Sequence, residues 1–267
     1  MQDIAGRPLL FFSDLDGTLL DHETYTYEPA LAALDALRAH DIGLILASSK
    51  TAAEIHSLRR DIGFEGFEAI VENGAGLLLA GSYNTLSHPP YEVLLHALNQ
   101  IPSQYRDSFT GFSQWDANEI SKLTGLAPEA AELAKKRQFS EPGLWSGTDA
   151  DLDVFRSHLE EHGILAQKGG RFLTLSFGGT KVDRMQDVIK SHFSNEDKPF
   201  CVALGDAPND IAMLEAADLG IIMPNESHNG IPELSGEATG KIIRAQFSGP
   251  KGWNEAVLNV LKQAKIL

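Results

Sequence analysis

The sequence predicts an α/β fold: a doubly wound, mostly parallel Rossmann-like sheet with an α+β domain inserted into it. Short, wholly apolar runs alternate with helical segments at both ends of the chain, as in a parallel sheet covered on both faces. The alternation breaks off near Gly81 and resumes after Gln167, with mixed elements between. Residues 1–82 and 170–267 are therefore expected to form the core, and residues 83–169 an inserted cap.

Each element has its own signal. "PLLFFSDLDG" reads as a buried strand closed by Asp and Gly. "YEPALAALDALRAHDIG" has apolar residues at helical spacing, Pro29 near its start and Gly43 after its end. "IGLILASSK" is a second buried strand, and "TAAEIHSLRRDIGF" a helix stopped by Gly63. "FEAIVENGAGLLLA" predicts two strands joined by an Asn-Gly turn. In the insertion, "PYEVLLHALNQI", "APEAAELAKKRQF" and "DADLDVFRSHLEEHGI" read as helices, and "GLWSG", "ILAQKG" and "RFLTLSF" as short strands. A small sheet with helices on one side is expected there. The core pattern resumes with the helix "GTKVDRMQDVIKSHFS", the buried strand "FCVALGDAPND" and the helix "IAMLEAAD". The strands "LGIIMPN" and "GKIIRA" and a closing helix, "GWNEAVLNVLKQA", complete it.

With 267 residues the chain is long enough for a sizeable core. Its formal net charge of −15 argues against nucleic acid or an anionic membrane as partner, while leaving room for a small anionic substrate in a local cationic pocket. A single cysteine, Cys201, rules out an intramolecular disulfide and reads as a buried small hydrophobe. No run is long enough to cross a bilayer and no signal segment is recognised, so a cytoplasmic location is expected. The oligomeric state is left open.

Three predicted strands end in polar residues: "FFSDLDGT", "LILASSK" and "CVALGDAPND". Ligands of open parallel sheets bind at such strand ends. If these ends lie side by side, Asp14, Asp16, Ser48, Asp206 and Asp210 meet in one site. So many carboxylates repel one another unless a hard divalent cation joins them, and Mg²⁺ shares carboxylate and phosphate oxygens readily. The predicted chemistry is phosphoryl transfer. One aspartate attacks phosphorus, and the other works as general acid and then general base. Gly17 lets the chain turn sharply beside the substrate. Ser48 suits a hydroxyl donor to the phosphoryl group, and Lys181 opens a helix where its ammonium reaches a phosphate.

These segments resemble the four motifs of the haloacid dehalogenase phosphatase superfamily: "DLDGT", "LILAS", the lysine of "GTKVD", and "GDAPND". The long insertion resembles the type IIB cap of the Cof-like branch, which "ENG" at Glu72–Gly74 also fits. Most of that branch carries Thr-Gly-Arg where this chain has Ser48-Ser49-Lys50. "SSKTAAEI" and "GPKGW" are similar instead to the mannosyl-3-phosphoglycerate phosphatase family. The resemblance implies Asp14 as nucleophile and Mg²⁺ ligand, and Asp16 as general acid/base with its backbone carbonyl on the metal. Asp206 becomes a ligand and Asp210 a ligand or a partner of one. Ser48, Ser49, Lys181 and Asn209 hold the phosphoryl group. The implied reaction converts mannosyl-3-phosphoglycerate to mannosylglycerate and phosphate. Another sugar phosphate, a glucosyl ester included, is the near alternative as substrate, and phosphomutase chemistry the near alternative as reaction.

Simpler roles stand beside these. Ser48 suits an N-cap of the following helix, although Ser49 or Thr51 would serve equally. Lys181 alone is a surface lysine. Glu72 and Asn73 are either turn residues or take a direct part in the site, Asn73 as a substrate contact. "GPKGW" either ends a strand and starts the last helix, with Trp253 packing into the core, or touches the ligand or the cap hinge. In the cap, Lys168 and Arg171 are either charged strand-end residues or cations for the glycerate carboxylate. Nine scattered histidines lack metal-ligand spacing, so zinc is not expected. A phosphoacceptor receiver domain also uses aspartate, Mg²⁺ and lysine. It is far shorter, and it lacks both the insertion and the second aspartate.

Overall fold

Leu9–Ser13 is buried at every position, and successive residues serve opposite faces of one sheet. Leu9 and Phe11 pack into one apolar layer, Leu10 and Phe12 into the other. The period of two is thus present but invisible in an uninterrupted apolar run. The structure is a computed structural model that describes residues 4, 6–82, 90–194, 196–225 and 230–267.

In chain order the strands are β1 (Leu9–Ser13), β2 (Gly43–Ala47), β3 (Ala69–Val71) and β4 (Gly76–Leu78), then β5 (Phe109–Gly111), β6 (Ser140–Trp145), β7 (Leu165–Gly169) and β8 (Phe172–Ser176), and finally β9 (Phe200–Gly205), β10 (Leu219–Ile222) and β11 (Ile242–Arg244). The core sheet runs β11-β10-β9-β1-β2-β3-β4, and every neighbouring pair is parallel except β3 with β4. Helices Leu31–Ala39, Ala52–Asp61 and Gly249–Gln263 supply one covering layer, with Leu34, Ile55 and Trp253. Lys181–His192 and Ile211–Ala216 supply the other, with Met185, Val188 and Leu214. The β3–β4 pair is the hairpin expected from "ENG", with Val71 opposite Gly76.

Register decides where the polar ends meet. Ser13 lies beside Leu46 of β2 and Leu204 of β9, so the segments after β1, β2 and β9 leave the sheet at one edge. The chain runs from β1 outward through β2 on one side, then through β9 on the other. β1 is therefore the switch point at which such sheets bind ligands.

The insertion forms an antiparallel sheet, β5-β6-β8-β7. Pro90–Gln100 and Asp149–Glu161 cover one face with Leu94, Phe155 and Leu159 against Leu173 and Leu175. The expectation of helices on one side is corrected. Ala117–Thr124 and Pro128–Ala134 pack Ile120 and Ala131 with Phe112 and Phe172 on the other face. The expected boundary at residue 170 also moves. β8 pairs with β6 and β7, so the chain returns to the core only after Ser176. The expected start of the insertion at residue 83 falls outside the described residues. β5 and the helix Ala117–Thr124 had no sequence assignment, because β5 has three residues and the helix buries only Ile120.

Candidate active site

Asp14 extends β1 by one more bond, its N–H donating to the Leu204 carbonyl at 2.9 Å, and it is 7% exposed. Its support comes from the opposite end of the chain. The indole N–H of fully buried Trp253 donates to Ser13 Oγ at 2.9 Å, and that hydroxyl donates to the Asp14 carbonyl at 2.7 Å. Trp253 is thus a core residue that also braces the turn beneath Asp14. The turn closes through Gly17 N–H to the Leu20 carbonyl, with Gly17 at φ 81°. A side chain at Gly17 would place its first carbon 2.6 Å from Asp206 Oδ2, so glycine is required by space as well as by conformation.

Lys181 begins its helix behind the N-cap Thr180, whose hydroxyl accepts from Asp183 N–H. Its side chain is buried, with Nζ 2.6 Å from Asp14 Oδ1 and 2.7 Å from Asp210 Oδ1. Burial alone would lower the ammonium's pKa, but Asp14 and Asp210 more than offset it and hold it above the ordinary lysine range. Burial pushes the Asp14 carboxyl up; Lys181 opposes that, and Asp210 and Asp206 add to it. Asp210 is engaged at both oxygens: Oδ1 takes Lys181, and Oδ2 accepts the N–H groups of Asp206 and Ala207, each at 3.1 Å. Asp206 accepts from Thr18 Oγ1 at 3.3 Å and from Asn225 Nδ2; burial raises its carboxyl and the Asn225 bond lowers it.

Oxygens of Asp14, Asp206 and Asp210 lie within 4.8 Å of one another. Three carboxylates against one ammonium leave excess negative charge in a buried place. An all-oxygen, anionic donor set of this kind fits a hard divalent cation. Asp16 stands apart from this cluster: its side chain is half-buried and pairs with Lys50 Nζ at 3.0 Å. Against the cost of burial, Asp16 and Glu54 hold the Lys50 ammonium above its usual value.

Ser48 is buried just beyond β2, its N–H on the Ile70 carbonyl and its hydroxyl accepting from Lys50 N–H at 3.2 Å. The helix N-cap is Thr51, in a capping box with Glu54. Ser49 is exposed, and its carbonyl accepts from Arg137. Asn209 and Asn73 are exposed neighbours, Asn209 Nδ2 donating to Asn73 Oδ1 at 3.1 Å. Lys168 and Arg171 flank the β7–β8 turn, at the end of β8 opposite the segment that leads to Lys181. Both are exposed, and Arg171 donates to the Leu123 carbonyl, so the structure does not bring them to the carboxylates. Sequence reasoning passed over Lys50, Thr18 and Asn225. Thr18 and Lys50 lie inside the quoted motifs "DLDGT" and "SSKTAAEI", whereas Asn225 carried no signal beyond its place after a strand.

The haloacid dehalogenase-like hydrolase family profile matches residues 11–105 and 136–235, which spans both parts of the core and much of the cap. The chain belongs to that family and is a phosphoric monoester hydrolase. Among individual relatives, it is 31% identical to the glucosyl-3-phosphoglycerate/mannosyl-3-phosphoglycerate phosphatase of Persephonella marina, over 96% of this chain and 98% of that one. Its fold is similar to that of the phosphatase BT1666 from Bacteroides thetaiotaomicron, with a TM-score of 0.65 at 16% identity over 98% and 96% of the two chains. It is also similar in fold to the sucrose-phosphatase of Synechocystis sp. PCC6803 solved with sucrose and phosphate, with a TM-score of 0.58 at 18% identity over 95% and 98%.

Proposed function

We propose that this phosphatase is Mg²⁺-dependent, works through an aspartyl-phosphate at Asp14, and hydrolyses a sugar-linked 3-phosphoglycerate, with the mannosyl ester as first candidate. The observation that carries the mechanism is the buried group of Asp14, Asp206 and Asp210 around Lys181. The substrate reading is supported by the near full-length likeness to the Persephonella enzyme, whose name covers the glucosyl as well as the mannosyl ester.

Asp14 and Asp206 would hold the Mg²⁺ through carboxylate oxygens and Asp16 through its backbone carbonyl; bound there, the ion supplies charge neutralisation to the phosphoryl oxygens. Asp210 holds Lys181 and the 206–207 turn in place. Lys181 and Ser48 bind the phosphoryl group, with Asn209 and Ser49 at its exposed edge. An Asp14 carboxylate oxygen bonds to phosphorus as the ester oxygen leaves, and Asp16 gives that oxygen its proton. Asp16 then takes a proton from water, whose oxygen bonds to phosphorus and releases Asp14 and inorganic phosphate. Lys50 keeps the Asp16 carboxylate at the mouth of the site between the two steps.

The test is steady-state hydrolysis of mannosyl-, glucosyl- and plain 3-phosphoglycerate and of an aryl phosphate, with Mg²⁺ and with a chelator. The expected result is chelator-sensitive release of phosphate, fastest with the mannosyl ester. Equal rates on all four compounds would remove the substrate assignment, and full activity after chelation would remove the metal.

A further inference from the structure

The turn Glu72–Gly74 has more polar partners than a link between two short strands requires. Three successive residues are left-handed, with φ of 51° at Glu72, 60° at Asn73 and 93° at Gly74. A glutamate rarely adopts that conformation, and it persists only where its surroundings impose it. Here they do. The N–H groups of Glu72 and Asn73 donate to the carbonyls of Lys50 and Ser48, at 3.0 and 2.9 Å, and so hold the loop after β2. Asn73 meets Asn209 in the loop after β9. A side chain at Gly74 would overlap the backbone of Thr180 and Lys181, so the turn lies flat against the start of the helix that carries Lys181.

The Glu72 carboxylate enters the cap and is fully buried. Its Oε1 accepts the Gln138 N–H at 2.8 Å. Its Oε2 accepts the N–H groups of Phe139 and Ser140, at 3.2 and 2.8 Å, and the Ser140 hydroxyl at 2.7 Å. The Arg137 guanidinium, 6% exposed, pairs with it at 3.2 Å and reaches back to the Ser49 carbonyl at 3.4 Å. A buried carboxylate of this kind is satisfied only while residues 137–140 stay on it.

We propose that Glu72 is a positioning residue that seats the cap on the phosphoryl-binding loops, holding β6 in register with Ser48 and Lys181. It touches no reacting atom. It acts through the start of β6, which fixes where the cap meets the organic part of a substrate. The inference rests on the phosphatase site described above and not on the choice of sugar.

The experiment compares Glu72→Gln and Glu72→Gly with wild type. Gln keeps the size but turns an NH₂ toward a backbone N–H; Gly removes the carboxylate while easing the left-handed turn, so it guards against loss of the fold. Two quantities are read: amide hydrogen exchange at 138–140, and kcat and KM for an aryl phosphate and for the sugar phosphate that wild type hydrolyses best. Both variants are expected to exchange at least ~10-fold faster at 138–140, as a lost buried acceptor requires. They are expected to lose at least ~10-fold in kcat/KM on the sugar phosphate, mostly through KM, with the aryl phosphate within ~3-fold. Unchanged exchange, or equal losses on the two esters, would overturn the proposal. A wild type that hydrolyses no sugar phosphate would sink the substrate reading alone, and the exchange result would still decide the role of Glu72.

Discussion

β1 and β7 are both five residues long, yet every residue of β1 is buried and four of the five in β7 are exposed. β1 sits between β9 and β2 in a sheet covered on both faces; β7 is an edge strand with β8 as its one sheet neighbour. In the core, burial leaves little freedom, and the charged groups at the strand ends are held by bonds from several directions. In the cap, the same length of strand leaves side chains facing solvent. On the proposed function, chemistry sits where the backbone is least free, and recognition where side chains remain open to substitution.

If that division is right, the largest effects come from the core. Asp14→Asn removes the attacking oxygen and should lower kcat by at least ~10³-fold on every phosphate ester, sugar or aryl, measured by phosphate release. An activity kept on either ester class would break the contrast at its root. Lys181→Met should follow, with kcat down ~10²- to 10³-fold, because the cation proposed to meet the phosphoryl oxygens is lost and Asp14 and Asp210, both paired with it, are left to repel each other. Its effect, too, should be the same for both ester classes.

Smaller changes sharpen the comparison. Trp253→Phe removes the donor to Ser13 Oγ and part of a buried side chain. It should cost about 1–3 kcal/mol of stability in urea unfolding, although Trp253 lies outside the carboxylate group. Arg171→Ala, at an exposed turn of the cap, should change stability by less than ~0.5 kcal/mol and kcat/KM by less than ~3-fold. A tenfold loss on the sugar phosphate alone would restore Arg171 as a reader of the substrate and show that the turn reaches the site when ligand is bound.

Much of the core was legible because its signals are local. "PLLFFSD" and "FCVALGD" announce buried strands with acidic ends, and Gly63 and Thr51 bound a helix by rules that involve only near neighbours. The cap was less legible. Its strand β5 has three residues, and the helices Ala117–Thr124 and Pro128–Ala134 are short enough that apolar spacing and surface composition compete. That competition hid the second helical face, and the boundary fell before β8 because the pairing of β8 with β6 and β7 is a long-range fact that strand propensity does not carry.

The sequence by itself determined the alternation of apolar runs and helices, the carboxylates at the strand ends, and the spacing of four motifs that marks the family. The tertiary structure alone decided that Asp16 faces Lys50 while Asp14 and Asp210 share Lys181. It also decided that Trp253 braces the Asp14 turn and that Glu72 reaches across into residues 137–140. The reason is physical: periodicity and caps are fixed by residues a few positions apart, whereas these pairings depend on strand register and on how the cap rests on the core.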